Sequence, residues 1–354
     1  MARPLLTWPG MKPLLMVAMI SLGGCGLGDR ALFDECPEGE TCSDVTPHGL
    51  YFVGAELAGQ TFSFGPPATA RGGTQSITLK YETADHQLLP LDQPYAAEDD
   101  GGAGVAVERT DGPIVTLRGI GAGTNYVRIV DPVDLTLFDR KQFSGGVIST
   151  VSLVPGEAEA VATGDAIVFA AGTQQIGVAL IGEVQDGSTS STTRLVDESM
   201  ELSLPGAVRT KWDVLQLDAT VGQVAVTVTA AQRPAEVLDL EIVAGPDSLV
   251  AQEPVLPIVV DQTSLVCFSP HAAGRHVAGL AWAFTSDNGP AGNQFFSRNC
   301  AELLPDRPGT LTLTATAGGL SLTKSYFVGQ PAAAKPVRPR PPLGTTAGDR
   351  AAAN

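Results

Sequence analysis

Positive charge is scarce: 22 lysines and arginines face 38 aspartates and glutamates over 354 residues, a formal net charge of −16. Phosphate binding needs a basic footprint, so this composition argues against nucleic acid as a partner. It also argues against a polybasic membrane-binding surface, and a soluble exported surface kept apart by charge accounts for the acidity. Aromatic residues make up only 6%. Histidine is limited to His48, His86, His271 and His276, none beside a serine or cysteine in a nucleophile pattern. There is no G-x-S-x-G elbow, no H-E-x-x-H pair and no P-loop lysine. A non-enzyme is therefore expected, without cofactor or metal. The apolar segment Leu14–Leu22 falls well short of the ~18–20 residues of a spanning helix, so a retained transmembrane anchor is not expected.

What that segment does have is a context. Lys12 precedes it and small residues close it, the layout of an export signal. The closing "LGGC", Leu22 to Cys25, resembles the lipobox of bacterial lipoproteins. That resemblance implies cleavage before Cys25, whose thiol carries a diacylglycerol and anchors the mature chain. Gly26 follows in place of aspartate, which under the enteric sorting rule directs the protein to the outer membrane. Residues 1–24 then form the signal peptide, and the remaining chain has 20 basic residues against 38 acidic.

Setting Cys25 aside leaves four cysteines, an even number that favours disulfides in an exported chain. Cys36 and Cys42 bracket "PEGET" in a polar tether (25–47), and Cys267 and Cys300 form the second pair. Cys267, His271, His276 and Cys300 could also supply a tetrahedral zinc set. Their spacing is looser than that of zinc fingers, and an oxidising compartment favours the disulfide. Both histidines are then expected in a solvated loop. Glu98, Asp99 and Asp100, and Asp287, Asn288 and Asn293, offer oxygen ligands for calcium. They miss the alternate spacing of an EF-hand and read instead as hairpin turns.

From residue 48 the chain is rich in Val, Thr, Leu, Ala and Gly, with short alternating runs such as "QSITLKYET" (75–83), "VAVTVTA" (224–230) and "TLTLTATA" (310–317). Many such runs separated by turn residues predict an all-β architecture. A repeat runs through it: a glycine turn opens an alternating strand at Gly123, Gly222 and Gly309, 99 and 87 residues apart. That period matches one immunoglobulin-like sandwich. Three such domains are expected at 48–149, 150–247 and 248–329. They are followed by a Pro/Ala/Arg tail (330–354) expected to be disordered.

The stretch "RPGTLTLTATAGGLSLTKSYFV", with "LAWAFTSDNG" and its Trp282, resembles bacterial immunoglobulin-like (BIG) domains. The resemblance implies that Trp282 lies on the central strand. Cys300 precedes the glycine turn by nine residues. It thus falls before the strand that carries the second cysteine in antibody domains, and a Cys267–Cys300 bond would be a local variant. Exposed loop aromatics, Tyr95, Phe295 and Phe296, are candidate binding anchors. The function expected is that of a lipid-anchored cell-envelope protein with a structural, adhesive or partner-binding role. Membrane contact would come through the N-terminal lipid, with an envelope protein or polysaccharide as a further partner. A docking subunit of a secretion or polysaccharide-handling complex is the alternative, and a divergent hydrolase the third.

Overall fold

The alternation seen in the sequence becomes strand after strand. A computed structural model describes residues 50–59, 66–83, 87–161, 165–254, 256–294 and 297–330, with 293 and 294 described by backbone alone. The expected signal, tether, tail, Cys25, Cys36, Cys42, Phe295 and Phe296 lie outside the described residues. Among those residues there is no helix, and the fold is all-β.

The first unit comprises β1 (Leu50–Val53), β2 (Ala68–Ala70), β3 (Thr74–Glu82), β4 (Leu88–Pro90), β5 (Ala96–Asp99), β6 (Val105–Asp111), β7 (Ile114–Gly119), β8 (Gly123–Val130) and the first half of β9 (Leu137–Pro155). The second takes the rest of β9, then β10 (Ile167–Ala170), β11 (Gly172–Asp186), β12 (Thr189–Val196), β13 (Glu201–Ser203), β14 (Val208–Lys211), β15 (Val214–Ala219), β16 (Gly222–Thr229) and β17 (Glu236–Val243). The third has β18 (Ser248–Ala251), β19 (Ile258–Val259), β20 (Ser264–Ala272), β21 (Arg275–Ala278), β22 (Trp282–Ser286), β23 (Ala291–Gln294), β24 (Ser297–Leu303), β25 (Gly309–Ala317) and β26 (Leu320–Gly329).

Strand pairing repeats from unit to unit. One layer reads β1-β3-β7-β6, then β9-β11-β15-β14, then β18-β20-β24-β23. The other reads β5-β8-β9-β2, then β13-β16-β17-β10, then β22-β25-β26-β19. These are the two sheets of an immunoglobulin sandwich, A-B-E-D against C-F-G, with a short second strand added parallel to G. β2, β10 and β19 are that added strand, each running parallel to its neighbour. The repeated glycines Gly123, Gly222 and Gly309 each open the F strand. Within β25, Leu311, Leu313, Ala315 and Ala317 are buried while the threonines between them face outward, the two-residue period of a half-buried strand.

The passage from the first unit to the second occurs inside one strand, where β9 leaves β8 at Gly145 and joins β11 from Gly146. Space demands glycine here. A Cβ on Gly145 would stand 2.0 Å from the Gly104 carbonyl oxygen, and one on Gly146 would stand 2.6 Å from Leu195.

Three hydrophobic clusters fill the sandwiches, and they do not respect unit borders. Phe169 belongs to the second core, whereas Val168 and Ala170 on the same strand belong to the third. Ala68 and Ala70, on β2 of the first unit, are buried in the second core. The short added strand thus lends one face to its own sandwich and the other to the next.

Removing Phe169 should test that sharing. Phe169→Ala is expected to cost about 3–5 kcal/mol. The loss should appear in both neighbouring units, reported separately by Trp212 and Trp282 in single-tryptophan denaturant melts. An unmoved Trp282 transition would contradict the shared strand.

Candidate functional site

With no cluster of reactive groups predicted, the places where the chain concentrates buried polar chemistry become the candidates. They lie at the joints. Between the second and third units, β10 pairs with β17 on one side (Phe169 opposite Ile242) and with β21 on the other (Val168 opposite Val277). The segment after β9 is stitched to β24: Arg298 N–H donates to the Ala158 carbonyl, and Asn299 exchanges hydrogen bonds with both backbone groups of Ala160. Asn299 Nδ2 also donates to the Phe268 carbonyl at 2.7 Å. One carboxamide therefore ties the linker to the third sandwich.

Beneath this stitch, Glu159 and His276 are both buried, with Oε2 and Nε2 3.5 Å apart. Glu159 Oε1 accepts the Gly279 N–H at 2.9 Å, and the His276 N–H donates to the Ala166 carbonyl. A cleft of about 180 Å³ opens beside them, lined by Glu157, Glu159, Gln174, Gln216, Gly279 and Arg298 among others. Glu157 pairs with Arg298, and the Thr173 hydroxyl at the rim donates to Asp218. Those partners leave carboxamides and carboxylates with no activated nucleophile, so the cleft reads as the wall of a joint.

The first joint repeats the arrangement. β12 pairs with β2, Leu195 opposite Ala68 and Val196 opposite Thr69. Asp197, fully buried, accepts N–H groups from Ser199 at 3.0 Å and Ala231 at 2.8 Å, and Glu198 N–H donates to the Thr74 carbonyl. Asp213, also buried, accepts the Ala58 N–H at 2.7 Å. Burial pushes its carboxyl up, opposed by that hydrogen bond and by Arg194. At the far end of the first unit Asp139 accepts the Leu50 N–H at 2.9 Å and its neighbour Arg140 N–H at 2.7 Å. Burial pushes the Asp139 carboxyl up to about 7 against those two bonds.

Several expected residues land elsewhere than the sequence suggested. His271 and His276 are not in a solvated loop. They face each other across the β20–β21 hairpin, and His276 is fully buried because β10 covers it. Tyr95 is half-buried: its ring packs against the first core and its hydroxyl donates to the Gly112 carbonyl at 2.7 Å. Burial, with Asp111 nearby, raises its phenol.

Cys267 and Cys300 form a disulfide between directly opposed residues of β20 and β24. It joins strands B and E within one sheet and does not clamp the two sheets around Trp282, which stacks on Phe284 with centroids 5.7 Å apart. Both sulfurs being committed, no thiolate remains there for zinc. The acidic stretches serve turns: Asp99 and Asp100 accept N–H groups of Gly101 and Gly102, and Asn288 accepts from Asp306 and Arg307. Sequence reasoning missed Asp139, Asp197, Asp213 and Glu159, since each lies in an ordinary polar context with no motif around it.

No protein-family model and no curated protein matches the chain. Solved structures with similarity include domains 4–9 of the surface layer protein SbsC, at 13% identity and TM-score 0.22, covering 80% of this chain and 47% of that one. Invasin, a bacterial integrin-binding protein, follows at 16% and 0.22, covering 79% and 60%. Domains 5–6 of SbsC give 14% and 0.24, covering 53% and 100%. The chain spans about half the length of the first and three-fifths of the second. At these scores the likenesses carry no argument about role.

Two measurements probe these clamps. Between about pH 4 and 7 the folded chain keeps the Asp139 proton that the unfolded chain has lost. Stability from this group therefore falls as pH rises through that window, by up to about 4 kcal/mol at 1.36 kcal/mol per pH unit. Asp139→Asn should flatten the pH dependence of the melting temperature there; an unchanged slope would remove Asp139 as its source. Replacing Cys267 and Cys300 together by serine opens a loop with a sequence separation of 33. It should cost the third unit about 3–4 kcal/mol, read as a lower denaturant midpoint with far-UV dichroism retained.

Proposed function

We propose that the chain is a lipid-anchored envelope protein of bacterial type, in which three immunoglobulin-like units act as a stiff, non-catalytic spacer presenting adhesive or partner-binding surfaces. The observation that carries the spacer reading is the repeated joint, in which a strand of one unit is also a strand of the next sheet and fills the next core. Units joined by a flexible linker can rotate; units sharing a strand cannot turn without breaking sheet pairing and uncovering apolar side chains.

The anchor reading is supported by the segment Leu14–Leu22 ahead of "LGGC" and by the cysteine pairing. With Cys267 and Cys300 bonded to each other, a pairing of Cys36 with Cys42 across "PEGET" would leave Cys25 for the lipid. Two acyl chains or more hold a protein at a bilayer stably, where one is marginal. With attachment supplied in this way, an acidic surface is no obstacle. The sheet edges and end loops remain free for a protein or polysaccharide partner.

Cys25→Ser is expected to move the protein from the membrane fraction to the soluble fraction of cells expressing the full chain; retention in the membrane would defeat the anchor. Small-angle scattering of that soluble variant should fit one extended arrangement of the three units, unchanged between low and high salt. A broad distribution of inter-unit distances would defeat the spacer.

A further inference from the structure

The second and third units seat on their predecessors with the same two parts. The first is the strand that folds back from B: β12 and β21 place Leu195, Val196, Val277 and Ala278, all fully buried, against or beside the preceding unit's added strand. The second is the turn between F and G. In the second unit Gln232 in that turn lies against Gly72 of the first, and in the third Gly318 lies against Pro246.

The first unit has the same two parts with nothing described on them. β4, its fold-back strand, leaves Leu88 44% and Leu89 40% exposed. Its F–G turn, residues 131–136, leaves Val133 91% and Leu135 58% exposed. Both parts sit at the end remote from Gly145: Leu88 pairs with Glu82 at the far end of β3, and Val130 pairs with Leu137. Leu50 is opposite Tyr81 at that same end, held there by Asp139. In the anchored protein, residues 25–49 therefore join the sandwich at this pole.

The turn is held in one shape. Asp131 Oδ1 accepts the N–H of Val133 at 2.7 Å, Asp134 Oδ1 accepts that of Thr136 at 2.9 Å, and Leu135 N–H donates to the Asp131 carbonyl at 3.0 Å. Leu135 takes a φ of 62°, a conformation that a bulky residue adopts only when its surroundings impose it.

We infer that this apolar pole of the first unit is a lipid-contact surface that seats the protein on the bilayer holding its anchor. The inference rests on the proposed lipidation of Cys25. Another sandwich is the partner that the other two units would suggest, but β4 is built against it. Leu91 N–H donates to the Leu79 carbonyl, so two-residue alternation turns Leu88 and Pro90 outward. Proline has no N–H to offer an added strand and is a known guard of open edges. A lipid surface needs no strand pairing. It does need water within reach of the outward carbonyls, because open sheet edges do not enter hydrocarbon. The contact is thus interfacial, at headgroup depth. Asp131 and Asp134 beside Val133 make it a contact for zwitterionic headgroups in preference to anionic ones.

The test uses the full lipidated chain on phosphatidylcholine vesicles, with tryptophan placed by Val133→Trp and, as a control on the second unit, Val208→Trp. Brominated phosphatidylcholine should quench the added emission of the first variant by about half and leave the second unchanged. Phosphatidylserine mixed into the vesicles should weaken the quenching at 133. If the chain floats with the vesicles and the emission at 133 is not quenched, the pole does not face lipid and the inference fails while the anchor stands. A blue-shifted emission at 133 without vesicles would mean that a second copy or residues 26–49 cover the pole, which also overturns it. If the lipidated chain does not float with vesicles at all, the anchor reading falls and the inference with it.

Discussion

Four residues, Ile167–Ala170, carry a constraint on which the arrangement of the molecule depends. Because side chains alternate along a strand, Phe169 fills the second core while Val168 and Ala170 fill the third. Each large apolar side chain buried in this way is stabilising by about 1.5–3 kcal/mol. The strand also bonds on both edges, to β17 and to β21. Neither unit can withdraw without opening a core and orphaning backbone groups on a sheet edge. Ala68 and Ala70 place the first unit under the same constraint by a smaller device. Small side chains there let β2 approach Gly145 and Gly146, where β9 changes partners.

Close approach of this kind leaves little room for water, and backbone groups at the joints must be satisfied by protein. The buried acids perform that task. At the first joint Asp213 holds Ala58 and Asp197 gathers Ser199 and Ala231, and at the far end of the first unit Asp139 holds Leu50 in the same way. Asp139 and Asp197 each offset the desolvation of a carboxyl with two N–H donors, Asp213 has the Ala58 N–H, and burial raises the carboxyls of both Asp139 and Asp213. Glu159 serves the second joint in the same manner, with its two oxygens directed to Gly279 and His276. Among the described residues, these buried acids are structural staples.

The fold was legible because its signals are local. Alternation in 310–317 and the spacing of Gly123, Gly222 and Gly309 depend only on neighbours in sequence, and they map onto F strands; Trp282 lies on β22, which stands at the edge of its sheet and not at its centre. The position of Cys300 ahead of the glycine turn correctly set its bond apart from an antibody-type clamp, since β24 is strand E. What the sequence did not disclose is non-local. "DAIVFAA" reads as an ordinary strand, and nothing in it says that its two faces serve different cores, because its partners lie about 70 and 110 residues downstream. His276 looked like a loop residue for the same reason: the strand that buries it is far away in sequence. The contact of Tyr95 with Gly112 could not be foreseen either, because the hairpin that accepts its hydroxyl has no recognisable link to it in sequence.

A chain of shared strands has a physical corollary at its ends. At the interior poles the fold-back strands bury Leu195, Val196, Val277 and Ala278 against the neighbouring unit, while the F–G turn residues Gln232 and Gly318 stay exposed. The first pole has no preceding unit among the described residues. Its residues keep an apolar character that solubility alone would have removed. Pro90 offers no N–H to an added strand at this pole, whereas Val133 and Leu135 keep apolar side chains exposed there. An edge closed to strands but still apolar is matched by a partner that offers apolar area without a backbone. Stiffness then matters for function: a pole seated on a surface fixes the direction of everything joined to it only when the joints transmit orientation, and strands shared between units are what allow them to.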